Sequence, residues 1–236
     1  MLGIIVMIIC GGLSGCTEDN SNDKNEKYSR DNKTLIPSDD VYIKHTVPDD
    51  TFSIAYLSVR NEYGQYGAGY AWDGLIKFDV SSVPSSATIN SAILYMYYWS
   101  FQDSNPAGRI LTLYRPLSDW DENSVTWNTQ PSYASQPTTS SKVPSSYGWM
   151  TWNVTDDVQD FVKGKKPNYG WKITDEGYWG MANIPTTRFH TKDMPDFEDL
   201  KPYLEIEYKN SRNLKRDFGG FELSLLMQML LQRLGL

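Results

Sequence analysis

Between Asp40 and Tyr208, apolar and polar residues alternate with a period of two, interrupted by clusters of Gly, Pro, Ser and Asn. Ile76, Phe78 and Val80 alternate with Leu75, Lys77 and Asp79. Met150, Trp152 and Val154 alternate with Trp149, Thr151 and Asn153, and Leu204, Ile206 and Tyr208 with Tyr203, Glu205 and Glu207. Successive strand side chains point to opposite faces, so each run predicts a strand with one inward face. Many short strands without interleaved helices predict an all-β fold, a jelly-roll-like antiparallel β-sandwich, rather than a parallel α/β sheet. One short helix breaks the pattern. Thr155 is placed as its N-cap, Asp156 and Asp157 complement its dipole, and Gly164 falls at C′. Val158, Phe161 and Val162 give it an apolar stripe.

The two ends of the chain depart from the alternation. Leu2 to Leu13 is an apolar run too short for a permanent membrane span, and Leu13-Ser14-Gly15-Cys16 follows it. Residues 1–15 therefore read as a signal peptide, and Leu13-Ser14-Gly15-Cys16 resembles the lipobox of prokaryotic lipoproteins. That resemblance implies cleavage before Cys16 and lipidation of its sulfur, although no Lys or Arg precedes the run. The expected location is the outer face of the membrane in the cell envelope, with the lipid anchor holding the exported chain there. Residues 16–38 are polar and charged and predict a disordered tether. The folded domain is expected over 39–209. Residues 210–236 form a basic linker and a short apolar tail, suited to the membrane interface or to another chain.

Composition narrows the chemistry. The net charge of −7 excludes the basic footprint that nucleic acid requires. Both cysteines, Cys10 and Cys16, lie in the first sixteen residues, so the domain has no disulfide and no cysteine nucleophile. Two histidines, His45 and His190, cannot build a multi-histidine catalytic metal site. The 8 Trp, 16 Tyr and 8 Phe exceed what a core of this size needs, and surplus rings favour stacking on flat or ring-shaped partners.

Four ordered stretches carry a family pattern. They are Gly74-Leu-Ile-Lys-Phe-Asp-Val-Ser-Ser-Val-Pro84 with Ala87 to Ala92; Leu113 to Pro131, containing Trp120-Asp-Glu122 and Val125-Thr-Trp127; Trp152 to Phe161 with Asn168-Tyr-Gly170; and Arg188-Phe-His-Thr-Lys-Asp193 with Lys201 to Tyr208. Together they resemble the disaggregatase-related repeat, or DNRLRE domain, classed with carbohydrate-binding module family 96. The resemblance implies a sandwich found in prokaryotic surface and secreted proteins, without catalysis of its own, that binds polysaccharide or cell-envelope glycans, acidic ones such as alginate included. The alternatives are a structural or adhesion protein contacting other envelope proteins, and a polysaccharide-active hydrolase or lyase. For the last, Asp119, Asp121, Glu122, Asp193, Asp196 and Glu198 supply carboxylates, but no spacing selects a facing pair. Trp120 and Trp127 are expected to pack into the sandwich, with Asp121 and Glu122 holding a turn.

Candidate binding residues fall in two sets. If Ala92, Leu94, Met96 and Tyr98 face the core, Ile93, Tyr95, Tyr97 and Trp99 line the opposite face, where the family is usually more polar. That row is either a platform for sugar rings or a surface covered by a loop or by the tether. Arg188, His190 and Lys192 alternate and so share a face. With Lys44 or Arg60 nearby they either meet uronate carboxylates or solvate a strand surface. A structural Ca2+ is a further candidate, with Asp39, Asp40, Asp49 and Asp50 as oxygen donors. Asn32 and Asn153 head glycosylation sequons.

Overall fold

The computed structural model describes residues 28–61, 70–177 and 183–211; the signal segment, Cys16 and the apolar tail lie outside the described residues. Among the described residues eleven strands follow in chain order: β1 (Tyr28–Leu35), β2 (Asp39–Lys44), β3 (Tyr56–Arg60), β4 (Trp72–Lys77), β5 (Thr88–Gln102), β6 (Ile110–Tyr114), β7 (Thr139–Lys142), β8 (Gly148–Asn153), β9 (Trp171–Thr174), β10 (Thr186–His190) and β11 (Tyr203–Ser211). Helix α1 (Thr155–Val162) lies between β8 and β9, and a 3-10 turn (Glu198–Leu200) between β10 and β11. The sheet runs β1-β11-β5-β10-β3-β4-β9-β6-β7, with β2 added to β4 and β8 to β5, and all these pairings are antiparallel. It curls so that inward residues of β5, β8, β10 and β11 meet those of β4, β6 and β9 in one core, giving the expected all-β sandwich.

Strand β5 is the spine. Ala92, Leu94, Met96 and Tyr98 are buried, as their phase predicts. β11 pairs with residues 88–95 and β10 with residues 98–102, both on the edge opposite β8. The Trp152 indole donates to the Leu111 carbonyl at 3.1 Å, so this large buried ring ties β8 to β6 and leaves no polar atom unpaired. Two glycines are fixed by close approach. A Cβ on Gly74 would lie 2.5 Å from Leu57 Cδ2. Gly170 has φ +70° and a Cβ there would meet the Ile76 carbonyl at 2.0 Å, so the Asn168-Tyr-Gly170 motif is a β4–β9 packing device. Asn168 Nδ2 completes it by donating to the Phe78 carbonyl at 2.7 Å.

The structure corrects two expectations. Tyr28–Leu35 is not tether but an edge strand on β11, held by backbone pairing from Tyr28↔Ser211 to Leu35↔Leu204. Its polar sequence suits an edge, where both faces can stay wet, and Leu35 alone packs against the core. Val154, not Thr155, occupies the N-cap of α1. Asn153 Oδ1 accepts the Thr155 N–H at 3.1 Å, and Thr155 Oγ1 accepts the Ala92 N–H at 2.9 Å, so these side chains fasten the helix to β5. Gly164 does take the left-handed C′ position, with φ +66°. Asp157 does more than complement the dipole: buried, it accepts from the Trp171 indole at 3.0 Å and pairs with Arg115 at 3.0 Å.

A second, smaller core lies on the outward side of β2 and β4. Trp120 and Val125 cover Val41, Ile43 and Leu75, with Trp127 packed alongside. Trp120 Nε1 donates to the Tyr169 carbonyl at 2.8 Å, and Asp121 closes the turn by accepting the Asn123 N–H at 2.9 Å.

Candidate functional site

The outward face of β5 carries rings from three strands. Tyr95 and Tyr203 stand directly opposite across the β5–β11 ladder and stack at 4.5 Å with 11° between their planes. Tyr97 stands opposite Trp149 of β8, whose indole meets Tyr97, Tyr203 and Tyr95 edge-on at 5.3, 5.1 and 6.3 Å. Trp149 is 37% exposed; Tyr95, Tyr97, Trp99 and Tyr203 are half-buried. Such cross-strand aromatic pairs stabilise a sheet by about 0.2–1 kcal/mol each while leaving ring surface at the solvent side. Trp149 and Tyr203 extend the row. Their signal was an aromatic in the polar phase of two strands, but only the register places them beside Tyr95 and Tyr97.

The row continues toward β10 and β3. His190 lies 5.5 Å from both Tyr97 and Trp99, and Phe197, from the 191–202 excursion, covers it at 5.5 Å. Part of the row is therefore covered by a loop, and the part around Trp149 is not. Beyond Trp99 come Tyr56 at 6.5 Å and then Tyr42 at 5.9 Å. Here three cations gather. Arg188 lies over Tyr56 at 5.0 Å, Arg60 over Trp72 at 4.9 Å and Lys44 over Phe52 at 3.9 Å. Arg60 pairs with Asp103 at 3.3 Å, and Arg188 is hydrogen-bonded to Gln102. Burial first, and then the neighbouring Arg188 charge, pushes the Lys44 ammonium below its usual range.

The basic set is regrouped. Arg188 and His190 share the outward face of β10, but the strand ends at His190 and Lys192 is not part of that face. His190 is buried, and that burial lowers its pKa, so the ring is held neutral. The Lys192 ammonium sits among carboxylates instead, donating to Glu122 at 2.8 Å and Asp193 at 2.7 Å. Lys44 and Arg60 take the places beside Arg188.

Of the calcium candidates, Asp39 pairs with Lys77 at 3.4 Å and Asp49 accepts from Asn128 at 2.8 Å. Asp40 lies apart from both, in a group with Glu122 and Asp193 whose carboxylate oxygens fall within 4.8 Å of one another. The Lys192 ammonium already supplies the positive charge there, and a divalent ion would have to displace it. Burial pushes the Asp40 carboxyl up to about 7, against the pull of the Lys192 N–H and ammonium. The other acidic candidates are also engaged: Asp119 pairs with Lys77 at 3.0 Å and Glu198 with Lys201 at 2.6 Å, while Asp196 sits in a turn with φ +62°. Asn32 is exposed on β1, and Asn153 is exposed with its Oδ1 committed to Thr155.

The fold is an all-β sandwich with an aromatic row on one outward face and a 120–127 segment packed on the other. The family model for carbohydrate-binding module family 96 matches residues 31–208, from β1 to β11, and the chain belongs to that family. The family assignment points to a carbohydrate partner. None of the curated proteins matches the sequence.

Proposed function

We propose that the domain is a non-catalytic module that holds polysaccharide at the cell surface, binding it along the outward face of β5. The observation that carries this reading is the ring row from Tyr203 and Trp149 to Trp99 and Tyr56, ending at Lys44, Arg60 and Arg188. Pyranose faces stack on rings in the way other flat partners do, and Trp149 offers the exposed surface for it. The cationic end meets carboxylates by charge-assisted hydrogen bonds, so acidic glycans are the preferred chains. Lipidation at Cys16 would place the module on the outer face of the membrane.

Affinity electrophoresis through gels containing alginate, polygalacturonate or neutral polysaccharides tests the reading. Retardation by at least one polysaccharide is expected, with Trp149→Ala reducing it by about three- to tenfold, as for the loss of one aromatic contact. Unchanged retardation in Trp149→Ala and Tyr97→Ala would remove the platform. New reducing or unsaturated ends after incubation would show catalysis and overturn the non-catalytic part.

A further inference from the structure

The opposite face of the sandwich carries a cleft that the platform does not account for. Its floor is the outward side of β4 and β9, where the 115–134 segment covers Leu75 with Trp120 and Val125 but leaves Asp73 and Lys172 beneath an open volume of about 530 Å³. That size lies within the range of small-molecule sites, about 300–1,000 Å³. Asp73 and Lys172 form an ion pair at 2.9 Å with only 5% and 6% of their side chains exposed. A buried pair of this kind adds little to stability compared with apolar residues of similar size, and Leu75, on the same face of the same strand, shows that apolar packing works there.

The hydrogen-bond inventory of the cleft is one-sided. The Lys172 ammonium donates to Asp73 and to Gln130 at 2.9 Å, and lies 4.1 Å from the Tyr133 ring centre. Its charge is met inside the protein, and two of its three donors are bonded there. Two groups carry clear acceptor capacity, beside the exposed Ser132 hydroxyl, which can donate or accept. Asn61, 97% buried, lines the cleft with an Oδ1 that has no hydrogen-bond partner, while its Nδ2 is bonded to the Gly177 carbonyl. Glu176 is exposed, and its two oxygens share a single donor, the Tyr114 hydroxyl, at 2.8 and 2.9 Å. A carboxylate has at least four lone-pair sites, so Glu176 can accept more. Ring surface comes from Trp127 and from Tyr133, which is 44% exposed.

We infer that this cleft is a second saccharide site, and that it takes a neutral sugar. A ligand here must donate hydrogen bonds to Asn61 Oδ1 and Glu176 while laying an apolar face on Tyr133 or Trp127. Sugar hydroxyls and ring C–H faces do both. A uronate or sulfate would meet acceptors and the Glu176 charge, with no cation left to answer it. The inference rests on the carbohydrate-binding reading but not on the β5 platform.

Titration calorimetry with cellotetraose, mannotetraose, xylotetraose and chitotetraose, against tetragalacturonate and tetramannuronate, decides it. The full chain is compared with Tyr133→Ala and Glu176→Ala, and with the platform variant Trp149→Ala/Arg188→Ala; melting temperatures establish that each is folded. The expected result is that at least one neutral tetrasaccharide binds the platform variant, and that Tyr133→Ala, which removes a stacking ring, and Glu176→Ala, which removes a hydrogen bond to a charged group, each weaken this by about tenfold. If neither cleft variant changes any affinity while Trp149→Ala/Arg188→Ala abolishes binding, the second site is refuted and the platform stands. Binding of the uronates but not the neutral sugars in the platform variant refutes the sugar class. If no saccharide binds the unaltered chain, both the cleft and the carbohydrate-binding reading fall.

Discussion

The two outward faces of this sandwich use aromatic residues and charge in opposite ways. On the β5 face the rings pair across strands and stay half-exposed, while three cations collect at one end, where Arg60 pairs with Asp103 at 3.3 Å. Four unpartnered buried nitrogens there, Arg60 Nε, Arg188 Nε, Trp72 Nε1 and Trp99 Nε1, are donors, and His190 Nδ1 beside Trp99 is unpartnered as well. On the β4–β9 face the 115–134 segment packs its rings tightly at one end, and at the other Lys172 is neutralised by Asp73 while Asn61 Oδ1 and Glu176 stand ready to accept. One face is therefore suited to ligands that accept hydrogen bonds and carry negative charge, the other to ligands that donate and carry none. The same scaffold separates the two because strand alternation isolates each outward face behind a shared apolar core.

The largest expected effect breaks the cleft side. Lys172→Met leaves Asp73 buried without its partner and should cost about 3–5 kcal/mol in chemical denaturation. The double variant Lys172→Met/Asp73→Leu should recover most of that loss. If the double variant is as unstable as the single one, the ion pair is a structural necessity and the contrast between the faces weakens. Burial already raises the Asp73 carboxyl above its usual range against the opposing pull of Lys172, so the single variant should suffer least at acidic pH, where Asp73 can be neutral.

Next comes the Asp40–Lys192 clasp, which joins β2 to the 191–202 excursion through a 2.7 Å bond from the Lys192 N–H. With Asp40 raised to about 7 from 3.8, the folded protein keeps a proton between about pH 4 and 7 that the unfolded chain has released. Folding therefore becomes less favourable as pH rises through that window. The stability difference between the unaltered chain and Asp40→Asn should fall on the order of 3 kcal/mol from pH 4 to 7 and level off above about pH 8. Lys192 favours the ionised form of this carboxyl, whereas Glu122 and Asp193 oppose it, and a flat difference across the window would mean that Lys192 holds it ionised.

Much of the fold was legible in the sequence, and less of either surface. Alternation found the inward phase of β5, β8 and β11 because burial on one face imposes a period of two. It missed β1, whose edge position needs only backbone pairing and so leaves no apolar phase to read. The ordered motifs turned out to be packing devices: Trp120 seals the outer core, and Gly170 and Asn168 fasten β9 to β4. They report the family and the scaffold rather than the ligand. Tyr95, Tyr97 and Trp99 were visible as an anomaly on one strand, whereas Trp149, Tyr203, Asn61 and Glu176 acquire meaning only from neighbours that strand register or chain crossing supplies.

On the cationic end of the β5 face, Arg188→Ala should weaken binding to an anionic polysaccharide by about 1.5–3 kcal/mol, as for a charge-assisted hydrogen bond. The unaltered chain should lose affinity as sodium chloride rises, because partly exposed charges are screened over about 10 Å at 0.1 M. Neutral tetrasaccharides bound at the cleft should show no such salt dependence. Equal salt sensitivity at both faces would erase the distinction drawn between them.

The smallest expected effect is also the sharpest probe of how the platform works. Tyr203 lies directly opposite Tyr95 and stacks on it at 4.5 Å, and the Tyr95 hydroxyl reaches Glu205 at 3.3 Å. Tyr203 can act by touching the ligand or by holding Tyr95 and Trp149 in place. Tyr203→Leu keeps apolar bulk but removes the stacking partner, at a cost of about 0.5–1.5 kcal/mol in whichever process uses the ring. If Tyr203 is a contact, polysaccharide affinity falls while the melting temperature stays within a degree or two. If it is a support, the melting temperature falls and affinity at a temperature well below the transition is retained. Because the ring is half-buried between two strands and stacked on one side, its free surface is small, so we expect the support outcome, with Trp149 carrying the contact.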